Sequence, residues 1–130
     1  MVKVIKPADR DCPANVQSPG MRREAAISAS LTGSEGLWMG VGSNEPGNAS
    51  GVHHHGHLES GIYILKGHIR FRFGEKLEHV VDTEPGDFVF VPPYEVHMEE
   101  NLSAEEPTQF ILARNSQEGI VVNVDDPRVI

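Results

Sequence analysis

Along most of the chain, short apolar runs alternate with breaks rich in glycine, proline, aspartate and asparagine. His68-Ile69-Arg70-Phe71-Arg72-Phe73 alternates strictly, apolar on one face and polar or cationic on the other, which is the period of a half-buried strand. Leu37-Trp38-Met39-Gly40-Val41-Gly42 reads as a strand whose glycines imply close approach or bending. Ile62 to Leu65, Leu77 to Val81, Phe88 to Val91, Gln109 to Ala113 and Gly119 to Val124 are further strands. Lys66-Gly67, Gly74-Glu75-Lys76 and Glu84-Pro85-Gly86-Asp87 are the turns between neighbouring runs. Pro92-Pro93 breaks the ladder, since neither ring nitrogen carries a hydrogen, and His97-Met98-Glu99 resumes it. Phe71, Phe73, Phe88 and Phe90 are the expected core of the resulting barrel.

The first part of the chain is less regular. Residues 2–6 alternate apolar and basic and predict a short edge strand, and residues 7–20 predict an irregular arm. Arg22 to Leu31 carries mixed signals, and the serines between Ile27, Ala29 and Leu31 favour a strand. Some ten short strands, with no sustained period of 3.6, predict an all-β fold: an antiparallel sandwich or barrel of jelly-roll type. At 130 residues this is one domain, 1–130, with its core barrel at about 36–124 and an N-terminal arm at about 1–31.

Charge and cysteine usage narrow the function classes. Nineteen acidic against eleven basic side chains give a net charge of −8, which argues against nucleic acid or an anionic membrane as partner. Cys12 is the single cysteine, so no intrachain disulfide forms, and it has no histidine partner in sequence that would make it a nucleophile. No window reaches the roughly 18 apolar residues of a membrane span. The expectation is a soluble, cytoplasmic protein. Glu99-Glu100 and Glu105-Glu106 are read as solubilising pairs.

The candidate chemistry lies in Val52-His53-His54-His55-Gly56-His57-Leu58-Glu59. Imidazole and carboxylate are the donors that hold divalent transition metals, and core packing explains one buried histidine rather than several at this spacing. In a strand, His53 and His55 project to one face while His54 points away. Gly56 then ends the strand, Glu59 swings back as a carboxylate ligand, and His97 comes from another strand to complete the shell. His57 donates a hydrogen bond to a ligand residue from behind, is exposed, or serves as an alternative ligand. His68 and His79 are surface residues, and Trp38 and Tyr63 are core or pocket wall. Arg70 and Arg72 alternate with the phenylalanines and face solvent, whereas Arg114 would bind a ligand carboxylate if it pointed inward.

These segments resemble the two motifs of the cupin superfamily. The second motif, G, five residues, P-x-G, two residues, H, three residues, N, is matched in spacing by Gly86, Pro92, His97 and Asn101, with Tyr94 in place of its middle glycine. In the first motif His53, His55 and Glu59 fit H-x-H-x3-E, Gly47 stands as the leading glycine, and Gly67 closes it. Seven residues rather than six separate Glu59 from Gly67, so Ser60 falls in the usual glutamate register. Either a one-residue bulge brings Glu59 to the ion, or the centre is three histidines with Ser60 nearby.

The resemblance implies a six-stranded barrel core, a divalent metal (Fe, Mn, Ni, Cu or Zn) and a homodimer. The function it suggests is a metal-binding cupin that coordinates a small organic ligand at a barrel-centred ion, dioxygenase- or isomerase-like if catalytic. The alternative is a non-catalytic binding or sensing module with a structural metal. Because ligand imidazoles must be neutral, metal is expected to leave as pH falls through about 6 to 5.

Overall fold

Period-two alternation places one face of most strands inside, and in the computed structural model these faces close on one another across two antiparallel sheets. Residues 1–12 and 20–129 are described; part of the predicted irregular arm, residues 13–19, lies outside them. The strands are β1 (Met21–Ile27), β2 (Trp38–Asn44), β3 (His53–His54), β4 (Ser60–Lys66), β5 (Ile69–Phe73), β6 (His79–Thr83), β7 (Phe88–Val91), β8 (His97–Asn101), β9 (Gln109–Arg114) and β10 (Val122–Asn123). One sheet runs β1-β2-β9-β4-β7 and the other β10-β3-β8-β5-β6, the jelly-roll arrangement expected of the pattern.

Inward positions of both sheets meet in one cluster, with Trp38, Ile62, Ile64, Val91, Phe110 and Leu112 from the first and Ile69 and Phe71 from the second. Ile64 is fully buried, so Ile64→Ala would cost about 2–5 kcal/mol through lost contact and residual cavity. The outward positions of β5 carry Arg70 and Arg72, paired with Asp82 and Glu100 on the flanking strands. On β2 the inward glycines are required by neighbours. A Cβ at Gly40 would collide with the backbone carbonyl of Glu24, and one at Gly42 with the ring of Phe110.

Several expectations need correction. Residues 2–6 form no strand; a short 3-10 turn follows at Pro7–Asp9, and Lys3 Nζ donates to the Thr32 carbonyl. The 22–31 segment divides into β1 and a single helical turn, α1 (Ala29–Thr32), which starts where the Ser28 hydroxyl accepts the Leu31 N–H. Phe71 is buried and Phe73 half-buried, but Phe88 and Phe90 are 81% and 63% exposed. Phe88-Val89-Phe90-Val91 is apolar at every position, so alternation could not say which pair faces in; Val89 and Val91 do.

Candidate metal centre

Sheet register brings the histidines together. β3 pairs with β8 so that His53 lies directly opposite His97, and His55 follows two residues after His53. The ring centroids are 4.4 Å apart for His53 and His97, 4.8 Å for His53 and His55, and 5.1 Å for His55 and His97. One ring nitrogen from each of the three can be chosen so that all lie within 4.8 Å of one another. His53 and His97 are buried, and His55 is half-buried.

Backbone carbonyls decide which nitrogen that is. His53 Nδ1 lies 2.7 Å from the Gly51 oxygen, His55 Nδ1 2.9 Å from that of Ile120, and His97 Nδ1 2.8 Å from that of Glu95. A carbonyl only accepts, so each Nδ1 carries the hydrogen and each Nε2 presents its lone pair. The Nε2 atoms of His53 and His97 are buried without a hydrogen-bond partner. Two buried acceptors left unmet inside a protein are costly, and a cation between them would remove the cost. Burial, reinforced by the neighbouring histidines, pushes His55 and His97 down to about pKa 4, so both are neutral near pH 7, the state in which an imidazole can ligate. The donor set fits a divalent transition metal.

Glu59 is placed elsewhere. Its side chain is exposed, its N–H donates to Asn115 Oδ1, and Asn115 Nδ2 approaches its carboxylate at 3.5 Å. β4 begins at Ser60 with Ser60, Ile62 and Ile64 inward, so Glu59 falls on the outward phase. The one register shift of the β4–β9 pair lies between Ile64 and Lys66, at the other end of the strand, and supplies no bulge at Glu59. The carboxylate nearest the histidines is Glu99, buried on β8, with Oε1 3.8 Å from His97 Nε2. With His97 neutral, this contact is not an ion pair. Glu99, expected as half of a solubilising pair, is instead buried. The signal for it was its spacing: Glu99 stands two residues after His97 and therefore shares its face.

The remaining histidines are peripheral. His54 Nδ1 accepts the Gly56 N–H, and His57, His68 and His79 are exposed. Arg70 and Arg72 occupy the outer face as expected, whereas Arg114 turns inward, its guanidinium 4.0 Å above the Trp38 ring. Desolvation, with Arg23 nearby, lowers Arg114 to about 10, leaving it cationic at neutral pH. Arg23, Arg114, Ser60 and Glu99 line a cavity of about 20 Å³ on one side of His55 and His97, room for about one water.

Two further motif residues serve the scaffold. Tyr94 takes the position of the motif's glycine with φ +60°, and its N–H donates to the Gly56 carbonyl, holding the proline turn against the histidine loop. Asn101 is buried, with Nδ2 directed at the carbonyls of Asn44, Glu45 and Glu106.

A jelly-roll barrel with three converging imidazoles defines the class, and comparison with known proteins gives the family. Residues 41–114 match the family model for the cupin domain, and the chain belongs to that family. Among solved structures, the fold is similar to the polyketide cyclase RemF from Streptomyces resistomycificus, at 21% identity and TM-score 0.78, covering 98% of this chain and 90% of that one. KdgF from Halomonas sp. is similar at 15% identity and TM-score 0.72, covering 91% and 96%. Oxalate decarboxylase from Bacillus subtilis matches at 20% identity and TM-score 0.75, covering 95% of this chain but 33% of its own. No curated protein sequence matches the chain. No helix among the described residues is long and apolar enough to cross a membrane.

Proposed function

We propose that this chain binds a divalent transition metal through Nε2 of His53, His55 and His97 and uses the open side of that ion to hold a small organic ligand. The carrying observation is the convergence of three imidazoles whose Nδ1 atoms are all occupied by backbone carbonyls. Three protein donors leave positions for an exogenous ligand, the pattern of reactive centres, whereas structural sites are commonly closed by four. When bound, the ion would supply Lewis acidity toward a ligand oxygen and, if redox-active, dioxygen chemistry of the dioxygenase type.

The protein's own groups have definable parts. Carbonyls of Gly51, Ile120 and Glu95 fix the three rings in one tautomer. The buried carboxylate of Glu99 stands beside His97, where it would accept a proton from a ligand hydroxyl. Leu58, 2% exposed, walls the small cavity and keeps bulk water from that side. The similar folds include a cyclase acting on polyketides and an oxalate decarboxylase studied for its Mn(II) centres, which supports a metal acting on oxygen-rich small molecules. A homodimer belongs to the same reading, formed through the apolar terminal segments, where Val2 and Val4 are 96% and 72% exposed.

Elemental analysis of natively purified protein tests the metal, with His53→Ala/His97→Ala as control. Stoichiometric metal in the wild type and its loss in the double variant is the expected result. Equal metal in both would sink the assignment. Oxygen consumption on catechols and β-diketones then separates catalysis from simple binding.

A further inference from the structure

Arg114 is a half-buried cation that the metal reading leaves unexplained. It ends β9 and, with Arg23 on β1, lines the small cavity whose walls include His55 and His97. Taking a charge out of water is costly unless an opposite charge meets it. Among the described residues no carboxylate forms an ion pair with Arg114. Its Nε donates to the Ser116 carbonyl, and its guanidinium stacks on Trp38. A carbonyl and a ring face offer partial charges only.

The cavity as a whole shows the same surplus. Its charged lining is two guanidiniums against the single carboxylate of Glu99, and His55 and His97 are neutral near pH 7. Its volume of about 20 Å³ admits about one water, so only the end group of a ligand enters. The remainder has room in a cleft of about 380 Å³ between β6 and β7, which shares Val91 and His97 with the cavity. The charged residues of that cleft, Asp82, Asp87 and Glu95, are all acidic. A ligand spanning both spaces is therefore drawn in with its negative end toward Arg114.

We infer that Arg114 determines specificity at this site by receiving a carboxylate of the ligand beside the histidine centre. This rests on the metal reading for the carboxylate's other contact, whereas the guanidinium is cationic without any ion. The two contributions are separable. An ion attracts negative charge from any direction, while a guanidinium presents parallel N–H donors that match the two oxygens of a carboxylate.

The test titrates formate and its neutral isostere formamide into natively purified wild-type protein, Arg114→Gln and Arg114→Lys by calorimetry at constant ionic strength. Metal content and thermal unfolding are measured in parallel. Trp38, the only tryptophan, reports by fluorescence on the guanidinium stacked against it. Expected is saturable formate binding that perturbs Trp38 and is stronger than that of formamide. Formate should bind about tenfold more weakly in Arg114→Gln, with formamide affinity and metal content unchanged. Arg114→Lys, which keeps the charge but loses the fork, should fall between. Equal formate affinity in wild type and Arg114→Gln would mean that the ion alone selects the anion, or that Arg114 serves only to pack Trp38, and would overturn the inference. Should the glutamine variant not fold, unchanged formate affinity in Arg114→Lys would overturn it instead. Metal-loaded wild type that binds no formate, or binds formamide as tightly, would overturn Arg114 while leaving the metal reading intact. Formate binding that depends on Arg114 in protein purified without metal would keep the carboxylate subsite and remove the metal reading.

Discussion

His53 on β3 and His97 on β8 face each other as direct partners across an antiparallel ladder, 44 positions apart in the chain, with ring centroids 4.4 Å apart. The centre is thus built into sheet register. A slip of one residue in either strand would carry one histidine to the outer face.

Removing either histidine should abolish stoichiometric metal, whereas His57→Ala, which alters an exposed side chain, should leave it unchanged. Ligand loss should weaken metal binding by about two orders of magnitude or more. Isothermal titration of stripped protein measures this, and retained affinity in His97→Ala would contradict the geometry.

The two glutamates should separate. Glu59→Gln is expected to change neither metal affinity nor ligand binding, because its carboxylate is exposed beside Asn115. Glu99→Gln keeps the shape but removes the buried acid beside His97, and turnover of any substrate found should fall by about 10²–10⁴ with metal content retained. Metal loss in Glu59→Gln would restore that residue as a ligand.

Acid should act on the stripped protein through its buried imidazoles. His55 and His97 titrate near 4 when folded against 6.5 in the unfolded chain, so between those values the unfolded state binds more protons. Their neutral burial therefore costs nothing in stability above about pH 6.5. It destabilises increasingly as pH falls toward 4, on the order of 3 kcal/mol for each ring. Bound metal should persist lower than the pH 6 to 5 expected of ordinary histidines and leave nearer 4. Urea midpoints and metal retention from pH 7.5 to 4 measure both. Stability flat across that range would refute the burial.

Tyr94 offers a backbone test. A non-glycine residue at φ +60° costs on the order of 1 kcal/mol, and glycine would relieve it at some entropic expense in the unfolded chain. Tyr94→Gly is expected to hold stability constant or raise it by up to ~1 kcal/mol, and Tyr94→Val to lower it by about 1 kcal/mol. Thermal unfolding decides, and a larger loss in the glycine variant than in the valine variant would show that the tyrosine ring, 5.9 Å from His54, matters more than the strain.

Strict alternation in β5 was enough to place Phe71 inward and Arg70 and Arg72 outward, because one face was apolar and the other charged. Histidine spacing likewise told that His53 and His55 share a face, and the family motif supplied His97. Where the local pattern was uniform or out of step, only tertiary structure could decide. The four apolar residues of β7 have no polar phase to orient them, so burial of Val89 and Val91 and exposure of Phe88 and Phe90 follow from how the sheets close. Glu59 and Glu99 exchange their expected places for a related reason. Whether β4 carries a bulge before Ser60 is settled by its pairing with β9, a strand some fifty residues away, and so the carboxylate beside the histidines is set by long-range register.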